Sequence, residues 1–147
     1  MSFNAEYELL GEIKKNISKV MISNFLIINC IGKNDSIGLK INNNFFVQKF
    51  QTNIRNNEVL VSNIVDFLKE KNVKIDDKFS VIVNLGPGSF TSIRVSLAVA
   101  KGIKISKKTS LYGYKNSDLA ELNLKNIEFL IKKNLIENKL IKPVYIS

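Results

Sequence analysis

From Asn24 onward the apolar positions fall into runs of strand length separated by short polar breaks. Phe25 to Asn29 is a nearly unbroken apolar run, Ser36 to Ile41 alternates, and Phe45 to Phe50 is apolar-rich. The breaks at Gly32-Lys33-Asn34-Asp35 and Asn42-Asn43-Asn44 are too short for a crossover, so they predict a three-stranded antiparallel meander. The period then changes. Between Ile54 and Lys71, Leu60, Ile64, Phe67 and Leu68 share one helical face, and Val61 and Val65 widen it beyond what one sheet contact needs. Asp76-Asp77 marks a turn, and Phe79 to Leu85 reads as a strand buried on both sides. A turn at Gly86-Pro87-Gly88-Ser89 leads into a second helix from Phe90. The order is β-β-β-α-β-α, an α/β fold with a mixed sheet.

Two flanking segments stand apart. Leu10, Ile13, Ile17 and Val20 recur at helical spacing, which fits an amphipathic helix; read differently, Met21 is the start and the first 20 residues are an upstream extension. At the other end, Glu121 to Lys142 reads as one amphipathic helix with Leu124, Ile127, Ile131 and Leu135 on a face. The expected organisation is an extension or helix over 1–23, a main domain over 24–120, and a helix with tail over 121–147.

Composition removes several functions. At 147 residues and 45 % hydrophobic, the chain carries one domain with a core. No apolar run approaches the roughly 20 residues that span a bilayer, and the N-terminus has no signal-peptide core; the expectation is a cytoplasmic protein with no membrane contact. Cys30 is the single cysteine and there is no histidine, so an internal disulfide, a zinc cluster and the commonest general base are all missing. The net charge of +9 invites a nucleic-acid reading, but the lysines are spread along the chain and no aromatic-plus-basic motif accompanies them. A weak electrostatic contribution to nucleic-acid docking is the most the charge supports.

The stretch Gly86-Pro87-Gly88-Ser89-Phe90-Thr91-Ser92-Ile93-Arg94 carries the most information. Two glycines and a proline give a tight strand-to-helix turn, and Ser89 is placed to cap the helix. A Walker loop would need lysine and a hydroxyl after the second glycine. A dinucleotide fingerprint would need an acidic residue about 20 positions on, where Lys107 and Lys108 stand instead. Neither pattern is met, and a structural turn explains the glycines without a ligand. Along the helix, Ser92, Ser96 and Ala100 form a stripe of small residues suited to close approach by another helix, while Ile93, Leu97 and Val99 add apolar bulk elsewhere. Such a helix is expected to be covered on more than one side, and a partner protein is the expected cover.

That nine-residue stretch, continued by Ala98 and Ala100-Lys101-Gly102, resembles the GPGSFTGLR…A.AKGL signature of the TsaB (YeaZ-like) family. Leu111-Tyr112-Gly113-Tyr114…Leu119-Ala120 is similar to the segment that follows it there, and Lys142-Pro143-Val144-Tyr145-Ile146 resembles the family's tail. The resemblance implies a half-domain of the actin/Hsp70/sugar-kinase (ASKHA) fold. It also implies a non-catalytic paralogue of TsaD, the metal- and nucleotide-binding enzyme that forms threonylcarbamoyladenosine in tRNAs reading codons that begin with adenine. Such a subunit pairs with TsaD through two helices from each partner, with TsaE joining as an ATPase. The helices matching that role are Ile54–Lys71 and Phe90–Gly102, and the expected interface residues are Asn57, Leu60, Val61, Ile64, Phe90, Ser92, Ile93, Ser96, Leu97 and Ala100. Gly86, Pro87, Gly88 and Ser89 are expected to be structural. No catalytic residue, metal or cofactor is expected.

The chain departs from that family at defined points. The first strand ends Asn29-Cys30-Ile31 where relatives have Asp-Thr-Ser, and an amide does not supply the anionic oxygen that a magnesium site favours. Ser92 replaces a glycine, Asn57 and Glu58 replace His and Ser/Glu, and Ser147 stands where the tail has arginine. Only about twenty residues lie between Ala120 and the tail, so the second half-domain is expected to be largely missing. The alternatives are self-association through the same helices, or a small ATPase or protease-like enzyme using Asp35, Asp76, Asp77 or Asp118, all of which read as turn or cap residues.

Overall fold

The computed structural model describes residues 22–138. The expectations for 1–20 and for the tail after Asn138 lie outside the described residues. Five strands form one mixed sheet: β1 (Phe25–Asn29), β2 (Ser36–Ile41), β3 (Asn44–Lys49), β4 (Ser80–Asn84) and β5 (Ser110–Tyr114), in the spatial order β3-β2-β1-β4-β5. The meander is antiparallel as expected, with Ile27 opposite Gly38 and Gly38 opposite Val47. β1, β4 and β5 run parallel. Parallel neighbours need a crossover, and the helices α1 (Asn57–Glu70) and α2 (Phe90–Lys107) provide the two.

The period-two alternation of the strands decides what packs where. Leu26, Ile28, Ile37, Leu39, Val81 and Val83 point to one face and join Leu60, Ile64 and Phe67 of α1 and Val95, Leu97 and Val99 of α2. Phe25, Ile27 and Ile82 point to the other, where Ile127, Leu130 and Ile131 of α3 (Leu124–Lys132) cover them. Covered on both faces, β1 and β4 are buried almost throughout, which is why their sequences are unbroken apolar runs.

The differences from the sequence reading are at element ends. Helix α1 begins at Asn57, not Ile54, because the Ile54 amide is held by the Asp35 carboxylate at 2.7 Å and Asn56, in extended conformation, caps the helix by accepting from Glu58 N. Helix α2 runs past Gly102 to Lys107 and stops where Lys108 turns left-handed. β5 was not separable in the sequence: Ser110–Tyr114 is short and contains Gly113. The C-terminal helix ends at Lys132 rather than Lys142. Asn134 adopts φ 59° and Leu135 N donates back to Leu130 O at 3.0 Å, closing the helix. Leu135 is therefore off the apolar face and exposed, while Glu137 bridges to Gly113 on the outer edge of β5.

Asp35 fixes the frame on which α1 and α2 sit. One carboxylate oxygen accepts from Gly32 N at 2.9 Å and the other from Ile54 N at 2.7 Å, and the residue is 2 % exposed. Asp35→Asn presents an NH2 group to one of two buried amides, so it is expected to cost about 2 kcal/mol. A urea midpoint that falls while the slope stays constant is the expected observation.

Candidate functional site

Two places could carry function: the ends of the parallel strands, where α/β sheets bind ligands, and the outer surface of the two helices.

The strand ends are closed by the chain itself. Asn84 donates to Asn29 Oδ1 at 2.7 Å and to Asn116 Oδ1 at 3.1 Å, and its own oxygen accepts from Gly86 N at 2.8 Å. Tyr114 donates its hydroxyl to Asn29 Oδ1 at 3.0 Å. The amide at position 29 thus serves as an acceptor within a buried polar network. The adjoining turn also bonds inward. Gly86 has φ 94°, and a side chain at Gly88 would come within 2.6 Å of Ile31 Cβ and 2.7 Å of Ile31 O. Ser89 N donates to Ile31 O at 2.8 Å, and Ser89 Oγ accepts from Ser92 N at 3.5 Å as the expected cap. These amides are occupied within the fold, consistent with a turn rather than a phosphate cradle.

Burial, followed by the nearby Asp35 charge, pushes the Cys30 thiol well above its ordinary value of 9.0. Burial first, then the Cys30 charge, pushes the Tyr114 hydroxyl above 10.0. Both groups are held neutral in the fold and ionise more readily when unfolded, so their stabilising effect is complete below about pH 9 and declines as pH rises. Each contributes a loss of roughly 1.4 kcal/mol per pH unit above its unfolded pKa. The urea midpoint should hold from pH 7 to about pH 9 in these terms and then drop, with a shallower drop in Cys30→Ala.

The helix surface is different. α1 and α2 leave an open groove of about 980 Å³ between them, lined by Val61, Ile64, Val65 and Leu68 on one side and by Ala98, Val99, Gly102 and Ile103 on the other. Val61 and Val65 are 44 % and 40 % exposed, large values for branched apolar side chains on one helical ridge. Gly102 lies at the groove, and a side-chain carbon placed there would meet nothing within 4 Å.

The structure sorts the expected interface residues into two sets. Asn57, Val61 and Ile64 line the groove, and Phe90 is exposed at the start of α2. Leu60, Ser92, Ile93, Ser96, Leu97 and Ala100 are buried inside the domain. The stripe of small residues faces inward: Ser92 Oγ donates to Ile54 O at 2.9 Å, and Ser96 Oγ lies 2.9 Å from both Cys30 O and Ser92 O. The close approach it permits is to the chain's own β1 end and to the strap before α1. This corrects the expectation that a partner helix uses the stripe. Sequence reasoning missed Gly102 and Ile103 as lining residues; the signal was there in the spacing, since Val99 and Ile103 continue the face of Ser92 and Ser96 in steps of three and four, with Gly102 beside them.

Gly86, Pro87, Gly88 and Ser89 shape the turn, as the packing around Ile31 shows. Of the four aspartates weighed as metal ligands, Asp35 is committed to backbone amides and Asp76 accepts from Lys78 N at 2.9 Å. Among the described residues no three His, Cys, Asp or Glu side chains gather into a potential metal site. No helix among them is long and apolar enough to cross a membrane.

Comparison with known proteins agrees with this geometry. The model of the TsaD family, described as tRNA N6-adenosine threonylcarbamoyltransferase, matches residues 52–122, the segment holding both groove helices and the glycine turn. YeaZ from Pseudomonas aeruginosa superposes with a TM-score of 0.57 at 21 % identity, over 67 % of this chain and 45 % of that one. A second Pseudomonas aeruginosa structure, an uncharacterised protein with similarity to peptidase YeaZ, gives 0.59 at 20 % identity over 67 % and 44 %. The likeness to both structures is one of fold. The chain shares the mixed sheet of this ASKHA-type fold and spans less than half the length of these two solved structures. No curated protein matches its sequence.

Proposed function

We propose that this chain is a non-catalytic subunit that pairs, through the α1–α2 groove, with a TsaD-like enzyme forming threonylcarbamoyladenosine in tRNA. The observation that carries the reading is the groove itself: an apolar channel between the helix that precedes the signature and the helix that contains most of it, left open by Val61, Val65 and Gly102. An apolar channel between two helices is the kind of surface into which the apolar face of a partner helix docks. The non-catalytic part is supported by the absence of histidine from the sequence and by the polar network that occupies the strand ends. In the larger complex a TsaE-like ATPase acts on the pair, and tRNA meets this chain indirectly. Self-pairing through the groove is the second reading, since the same apolar ridges could face a second copy.

The test is co-expression of this chain with the TsaD-like protein of its organism, followed by affinity purification of one and quantification of the other. Stoichiometric recovery is expected. Recovery at background level, with both proteins soluble and folded, rejects the pairing.

A further inference from the structure

We infer that the groove selects an acidic amphipathic helix, so that its occupant is a chemically different chain rather than a second copy of this one. This rests on the groove being the pairing site proposed above. Its charged lining is all of one sign: Lys69 at the end of α1, Lys74 in the loop that follows, and Lys107 at the end of α2. No carboxylate lines it, although Glu58, Asp66 and Glu70 lie on the same helix α1. Among the described residues the ion pair within reach is Lys71 with Glu70 at 3.7 Å, which leaves Lys69, Lys74 and Lys107 without a carboxylate partner.

Part of this charge answers the helices' own ends. Lysine in a last turn faces a partial charge of about half an electron from the helix dipole, which applies to Lys69 and Lys107 but offsets only part of each ammonium. Lys74 lies beyond the helix and keeps its charge. The remaining field is positive at the end of the apolar channel where both helices finish, in a chain of net charge +9.

That pattern discriminates between occupants. A two-fold pair of identical chains brings the same patch against itself; two chains of net charge +9 then meet, with lysine end on lysine end where the paired helices run the same way, and like charges so placed oppose association. A helix with leucine-like residues on one face and glutamate or aspartate along its flanks meets both features: apolar side chains fill the channel while carboxylates reach the lysines at its end. The groove's α1 side runs from Asn57 to Asn72, so about 22 Å of helix, or roughly four turns, is the length it accommodates.

The test uses the full chain and two synthetic helical peptides of about 16 residues, identical on the apolar face and flanked by glutamates in one and lysines in the other. Fluorescence anisotropy should show the glutamate peptide binding at least about tenfold more tightly at low salt, with the preference shrinking as salt screens it. Lys69→Glu, Lys74→Glu and Lys107→Glu combined should invert the preference; all three side chains are exposed, and an unchanged circular dichroism spectrum verifies the fold. Equal binding of both peptides, or binding of neither, overturns the inference. So does a dimer of the chain alone, seen by sedimentation, that Gly102→Trp dissolves and the triple reversal leaves intact. A tenfold gain in glutamate-peptide affinity on deleting residues 1–21, which carry Glu6, Glu8 and Glu12, also overturns it, by making the chain's own segment the occupant. The two proposals fail separately. Peptide preference without pairing to the TsaD-like enzyme rejects that partner alone. Pairing that is insensitive to salt and to the triple reversal rejects the acidic occupant alone.

Discussion

Ser96→Arg is expected to abolish folding rather than to weaken an interface. Ser96 is 0 % exposed, and its hydroxyl shares one proton between Cys30 O and Ser92 O, both at 2.9 Å. Arginine there places a guanidinium against the end of β1 with no carboxylate free to receive it, since both oxygens of Asp35 already hold backbone amides. A buried unpaired charge and several excess heavy atoms together cost more than about 5 kcal/mol, comparable to the whole stability of a domain of this size. The expected observation is insoluble protein, or a soluble product without a cooperative melting transition. Ser96→Ala supplies the calibration: it removes one hydroxyl with little change in volume and should cost about 1 kcal/mol. A folded, monodisperse Ser96→Arg would mean that the stripe faces outward after all.

Gly102→Trp should leave the fold intact and lower affinity for the proposed TsaD-like partner at least about a hundredfold, near 3 kcal/mol. A side chain at this position enters the open groove, and its first carbon meets nothing within 4 Å. It does fill the channel that an incoming helix needs. The smaller change Gly102→Ala separates the two effects. Replacing glycine inside a helix by alanine stabilises by about 0.5–1 kcal/mol, so its melting temperature should rise while partner binding changes far less than in the tryptophan variant. Titration by calorimetry or anisotropy measures the affinity, and a thermal melt of each variant measures the fold. Wild-type affinity in a folded Gly102→Trp would place the interface elsewhere.

These two positions show what the sequence made legible. The meander, both crossover helices and the turn follow from periodicity and glycine placement, because the first four strands are short, apolar-rich or alternating, and bounded by polar breaks. Asp35 read only as a turn residue, and that is half of its role: its second oxygen reaches Ile54, 19 positions away, and delays the start of α1. No local pattern announces such a bond. The end of α3 was hidden for a related reason, since Asn134 in a left-handed conformation stops a helix whose apolar spacing continues past it.

The candidate site was visible as an excess of apolar positions but not as a direction. A helix apolar on several faces announces that more than one side is covered. It does not say which side meets the sheet and which meets a partner. Small residues at 92, 96 and 100 suit either use, and only the bonds from Ser92 to Ile54 and from Ser96 to Cys30 assign them inward. Once that face is fixed, Val99, Gly102 and Ile103 turn toward α1, and the open channel beside Val61 and Val65 follows.

The central claim is that a tRNA-modifying enzyme depends on this chain. The most direct measurement is reconstitution of the TsaD-like and TsaE-like proteins of the same organism with tRNA, with and without the chain, and quantification of threonylcarbamoyladenosine by mass spectrometry of the digested tRNA. Modification that requires the chain, and that falls to the level without it when Gly102→Trp is supplied, is the expected result. Equal modification with and without the chain would contradict it.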